Sequence, residues 1–119
     1  MQTTEVAARY SASWISGDRV AVRRTIAPDA EIEWNLDLPV DDEELIQILH
    51  RIAGFADSIS VVSQICTGDS ASFIYDCAAP FGTVRLCEFL TVTGDKISEI
   101  RHVYDTTALR RYFPGLLDD

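Results

Sequence analysis

Residues 58–104 read SISVVSQICTGDSASFIYDCAAPFGTVRLCEFLTVTGDKISEIRHVY, and this stretch decides the fold. β-Branched and aromatic residues alternate with small polar ones, and turn residues break the alternation at Gly68-Asp69, Pro80-Phe81-Gly82 and Gly94-Asp95. Turn signals between alternating runs predict hairpins, so these three turns predict four consecutive antiparallel strands.

Upstream the periodicity changes. Val6, Ala7, Tyr10, Trp14 and Ile15 recur at helical spacing after Thr3 or Thr4 as the cap, and Gly17 stops the helix. Asp18 can cap a second short helix that carries Val22 and Ile26 inward until Ala27-Pro28-Asp29 ends it. Glu31 to Leu36 then alternates as a half-buried strand with Ile32, Trp34 and Leu36 facing in, closed by Pro39. Asp41 and Glu44 have capping-box spacing ahead of a third helix with an apolar stripe of Leu45, Ile48, Leu49, Ile52 and Ala56. A short helix from Thr107 to Tyr112 follows the strands. Helices ahead of a run of strands predict a segregated α+β domain over residues 1–119, a curved antiparallel sheet wrapped around the N-terminal helices. A sheet half covered in this way leaves a hollow.

Composition narrows the function. The chain has 10 Lys+Arg against 19 Asp+Glu, a net charge of −9. That balance argues against nucleic acid and anionic membrane as partners, because both are bound by clustered cations. The acids between Glu31 and Glu44 read as a solvated edge, since nothing among them resembles a calcium loop. Cys66, Cys77 and Cys87 are odd in number and share no C-x-x-C spacing, so they predict neither a disulfide framework nor a zinc site. With no membrane-length apolar run and no signal pattern, the expected location is the cytoplasm. No phosphate loop, dinucleotide fingerprint or nucleophile elbow occurs, which implies chemistry without a cofactor and without a metal.

Strand faces locate candidate residues. From Thr83 to Thr93, Val84, Leu86, Glu88, Leu90 and Val92 share one face, leaving Glu88 as a lone carboxylate among aliphatics. Desolvation there is expected to raise its pKa. If Asp95 centres the following turn, Glu88 stands opposite His102 and Leu86 opposite Tyr104, with facing Cβ atoms about 5 Å apart. A buried Glu beside a His is an acid/base dyad in which the carboxylate holds the imidazole tautomer while the ring moves the proton; the alternative is a structural hydrogen bond in the core. His50, among polar neighbours, faces water.

Arg9-Tyr10, Gly17-Asp18, Ala27-Pro28-Asp29-Ala30, Asp95-Lys96-Ile97 and Tyr104-Asp105 occur in an order that resembles the SnoaL-like proteins of the nuclear transport factor two-like superfamily. The resemblance implies a cone-shaped fold used by polyketide cyclases, limonene epoxide hydrolases, ketosteroid isomerases and scytalone dehydratases, and by non-enzymatic binding modules. By comparison with the limonene epoxide hydrolase pattern, His102 stands where an inward catalytic Asp is carried, while Tyr75 and Cys77 replace its charged partners. By comparison with ketosteroid isomerase, Tyr10 stands where an oxyanion-binding Tyr lies, and Trp34 and Val84 replace its carboxylates. Neither family's usual charge set is present.

These readings together predict a cofactor-independent cyclase or isomerase acting on a small apolar, polyketide-like or terpenoid substrate, by an aldol-type or epoxide-opening ring closure. Glu88 and His102 transfer the proton, Tyr10 or Tyr75 meets the developing oxyanion, and Trp14, Trp34, Cys77, Leu86 and Tyr104 line the pocket. The alternative is a silent module of the same fold that binds a small molecule or forms a homodimer through the outer sheet face, where Cys87 and Phe89 lie.

Overall fold

Burial of Val6, Ala7, Tyr10 and Trp14 along one stripe forms helix α1 (Thr3–Ile15) in the computed structural model, which describes residues 2–34, 41–80, 82–104 and 107. The expected threonine cap is not used. Gln2 holds the N-cap position without a side-chain bond, and the Thr3 hydroxyl instead donates to Gly68 O at 2.9 Å, tying the helix start to a distant hairpin. Gly17, with φ of 79°, turns the chain out of the helix in a conformation that favours glycine. Asp18 then accepts from Ala21 N at 3.0 Å and caps α2 (Arg19–Thr25). This helix is one residue shorter than expected, because Ile26 already has extended backbone and begins β1 (Ile26–Trp34).

Strand β1 takes in Ala27-Pro28-Asp29, which the sequence suggested as a break. Proline is tolerated there because β1 is an edge strand and its register shifts between Ile26 and Glu31, where ladder bonds are lost anyway. Ile32 and Trp34 face the core as expected, whereas Leu36 and Pro39 lie outside the described residues. Helix α3 (Asp42–Phe55) starts on Asp41, whose carboxylate accepts from Glu44 N at 2.8 Å. It buries Leu45, Ile46, Leu49 and Ile52, and leaves His50 exposed.

The long alternating stretch forms β2 (Ser58–Thr67), β3 (Ser70–Ala79), β4 (Gly82–Thr93) and β5 (Lys96–Tyr104), with turns where the sequence places them. The five strands form one curved, open sheet in the order β1-β5-β4-β3-β2. β2 to β5 are antiparallel neighbours, but β1 pairs with β5 in parallel, so the sheet is mixed at that edge. The helices precede the hairpins and β1 must re-enter beside the last strand, which a tight turn cannot achieve. The helix expected from Thr107 to Tyr112 lies, apart from Thr107, outside the described residues.

Candidate functional site

Register sets the site. Across β4 and β5, Glu88 faces His102 and Leu86 faces Tyr104, while β1 brings Trp34 beside His102. The inward face of β4 is Val84, Leu86, Glu88, Leu90 and Val92, and all five are buried. The opposite face carries Arg85 and Arg101, each paired to carboxylates there: Arg85 with Asp76 at 2.7 Å, and Arg101 with Glu99 at 2.9 Å and Glu33 at 3.4 Å.

Glu88 is wholly enclosed, and helix α1 satisfies it. The Tyr10 hydroxyl donates to Oε2 at 2.6 Å, and the Trp14 indole N–H donates to Oε1 at 3.0 Å. These residues lie four apart on one helix, so a single face delivers both donors. His102 Nε2 lies 2.7 Å from Glu88 Oε2, inside ion-pair distance, although the ring does not aim an N–H along that line.

Opposing influences set the ionisation of Glu88. Burial, the largest influence, pushes the carboxyl up, but the charge of His102 and the hydrogen bond from Tyr10 outweigh it and hold Glu88 below its usual range. The sequence expectation of a raised value is thus corrected: it counted desolvation without the offsetting charge of His102 and the hydrogen bond from Tyr10. Among the described residues neither ring nitrogen of His102 has a hydrogen-bond partner.

The aromatic residues divide into two groups. Trp14 meets Tyr75 edge-on with ring centroids 5.0 Å apart, and Tyr75 stacks on Phe73 at 5.6 Å. The Tyr75 hydroxyl donates to Ser11 Oγ at 2.9 Å. At the other end Trp34 stacks on His102 at 4.6 Å, and its indole N–H donates to the Tyr104 hydroxyl. Trp34 and Tyr104 retain 7% and 8% exposure, against 0–1% for Tyr10, Trp14, Tyr75, Glu88 and His102. Leu86 packs in the core opposite both Tyr104 and Tyr75. Cys77 is fully buried on the same face of β3 as Tyr75. Burial, with the charges of Asp76 and Glu88, pushes its thiol up to about 12, which suits a packing residue and not a thiolate nucleophile.

The structure thus gathers Tyr10, Trp14, Tyr75, Glu88 and His102 into one connected buried network, with Trp34 and Tyr104 at its outer end. Tyr10 and Tyr75 spend their single hydroxyl protons inside the protein, on Glu88 and Ser11. Burial, followed by the Glu88 charge, raises both phenols, so they remain protonated donors. Sequence reasoning overlooked Ser11, although its spacing from Ala7 and Trp14 places it on the buried face of α1. It also gave Trp14 a lining role and missed its indole as a donor to Glu88. No cluster of metal-ligating side chains occurs, and no helix is long and apolar enough to cross a membrane, among the described residues.

No family profile matches the chain, and no curated protein sequence does. Solved structures are similar over nearly its whole length. A candidate SnoaL-like polyketide cyclase from Jannaschia sp. CCS1 superposes with a TM-score of 0.73 at 16% identity, covering 92% of this chain and 90% of that one. A steroid delta-isomerase from Pseudomonas aeruginosa gives 0.78 at 12% identity, with coverage of 96% and 88%. An NTF2-like protein from Burkholderia thailandensis E264 gives 0.75 at 17% identity, with coverage of 94% and 97%. At such identities the likeness concerns the fold, and function must be argued from the side chains. The chain has the α+β fold shared by NTF2-like and SnoaL-like proteins.

Proposed function

We propose that the protein is a cofactor-independent acid/base catalyst, a cyclase or isomerase, acting on a small, largely apolar substrate of polyketide or terpenoid type. The observation that carries this reading is the buried Glu88–His102 pair, in which neither imidazole nitrogen has a hydrogen-bond partner among the described residues. The Nδ1 lone pair takes a proton from a weakly acidic C–H or O–H of the substrate. The imidazolium so formed faces the Glu88 carboxylate, and the same proton returns to a different substrate atom as the bond order shifts or the ring closes. No external acid, base or redox partner is consumed. In this scheme Tyr10 and Trp14 position the carboxylate, Tyr75 extends the network, and Trp34 and Tyr104, with Leu86 and Cys77 behind them, supply an apolar wall for the substrate.

The test follows His102 by NMR through a pH titration in wild type and in Glu88→Gln, alongside deuterium uptake at the α-carbon of cyclohexanone in D₂O. The expected result is an imidazole pKa at least about one unit higher in wild type than in the variant, or about 1.4 kcal/mol of coupling. Deuterium uptake is expected to fall by about a hundredfold or more in His102→Ala. An unmoved pKa, or uptake no faster than in buffer, overturns the proposal.

A second reading, a silent binding or dimerisation module, draws support from a different observation. Neither Glu88 nor His102 lines the cavities of about 220, 400 and 420 Å³ formed by the described residues, whereas the outer sheet face exposes Ile65 and Phe89 around a shallow depression. Apolar side chains grouped on one face favour association with a second copy.

A further inference from the structure

A groove of about 420 Å³ runs between α1 and strand β2, floored by Phe73 of β3 and walled by Ala8, Ser11, Ala12, Ile15 and Val61. The volume falls within the range of about 300–1,000 Å³ usual for small-molecule sites. Its walls are mostly apolar, and the α1 side is low because alanines stand where longer side chains would close the space. None of these residues belongs to the Glu88–His102 pair or to the Trp34–Tyr104 end of its network.

Ser11 gives the groove a polar point. The residue is 4% exposed and its hydroxyl accepts the Tyr75 proton at 2.9 Å, so that oxygen already has a donor. Its own proton has no acceptor among the described residues, and a buried hydroxyl left without one carries a desolvation cost. An oxygen placed in the groove over Ser11 removes that cost.

We propose that the groove between α1 and β2 binds a small, uncharged apolar molecule bearing a carbonyl oxygen, which accepts from the Ser11 hydroxyl while its hydrocarbon part lies over Phe73, Ile15 and Val61. Charge selects the uncharged form. The protein carries a net −9, and the nearest polar partner behind Ser11 is Tyr75, next to the Glu88 carboxylate, so a carboxylate ligand would be repelled where a ketone is accepted. The site stands whether or not the Glu88–His102 pair is catalytic.

The experiment is an amide-resolved NMR titration of the full chain with 2-octanone, with octanoate as the charged counterpart. The expected result is saturable movement of the Ala8, Ala12, Val61 and Gln64 amides with the ketone and at least about fivefold weaker binding of octanoate. Ser11→Ala weakens the ketone about fivefold, the worth of one hydrogen bond. Ala12→Leu, at an exposed helix position, fills the groove and abolishes binding while leaving the unfolding midpoint in place. Overturning results are an absence of saturable shifts, shifts gathered instead around Trp34 and His102, or equal binding to the Ala12→Leu protein. Movement of the same amides on raising protein concentration without a probe would make the groove an interface between copies, and also overturns the proposal.

Discussion

Glu88 is the residue whose electrostatics organise the interior. A carboxylate with no exposure survives in the core because Tyr10 and Trp14 each donate to it and His102 lies 2.7 Å away, and removing its charge leaves two donors without their acceptor. Glu88→Gln is therefore expected to cost roughly 2–4 kcal/mol in urea unfolding at pH 7. Its pH dependence has a definite sign. The folded carboxyl titrates below its ordinary value of 4.5, so the folded state holds the charge more readily than the unfolded chain does. That stabilisation is complete above the ordinary value and disappears as pH falls through the lower folded one. Urea midpoints measured between pH 7 and pH 3 should decline more steeply for wild type than for Glu88→Gln; parallel declines would mean that the folded protein does not lower this carboxyl. At this scale the sequence was informative about position and uninformative about charge. Alternation placed Glu88 inward and turn-centring placed it opposite His102, because both depend on neighbours along the chain. The lowered pKa depends first on the charge of His102 and then on Tyr10, which is 78 residues away and whose approach no local pattern encodes.

Among the elements, α3 has the plainest local determinants. Asp41 accepts from Glu44 N, and Asp42, Glu43 and Glu44 place negative charge at the positive end of the helix. Asp41→Ala should lower stability by about 1 kcal/mol, read from urea denaturation. An unchanged midpoint would mean that the acids of the first turn hold the terminus unaided. Strands β2 to β5 were equally legible, since hairpin turns and two-residue alternation are local signals. The first helix was legible in extent but not in its cap, because Thr3 is diverted to Gly68 by tertiary contact. Strand β1 was only partly legible. Its first half carries Ala27-Pro28-Asp29, which locally signals a break, and the pairing of Ile26 with Ile97 overrides that signal from across the molecule.

For the molecule as a whole, the two faces of the sheet have different chemistry. The helix-covered face buries the polar network, while the outer face mixes neutralised ion pairs with exposed Ile65 and Phe89. If that face associates, replacing both residues in Ile65→Lys/Phe89→Lys should weaken self-association by at least about tenfold, as seen by sedimentation equilibrium. A wild-type protein that sediments as a single chain at every concentration would remove this face from consideration as an interface. The parallel pairing of β1 with β5 has a further consequence, in the time domain. Trp34 meets its neighbour His102 only when the last strand arrives, and Tyr10 and Trp14 find their acceptor only after β4 is in place. Closing loops of that length takes entropy before any contact compensates for it, so little of the fold can form early and be kept. Folding should therefore be a late, cooperative event in the slower range for small domains, roughly milliseconds to seconds, with the amino-terminal helices and β1 awaiting the strands that complete them.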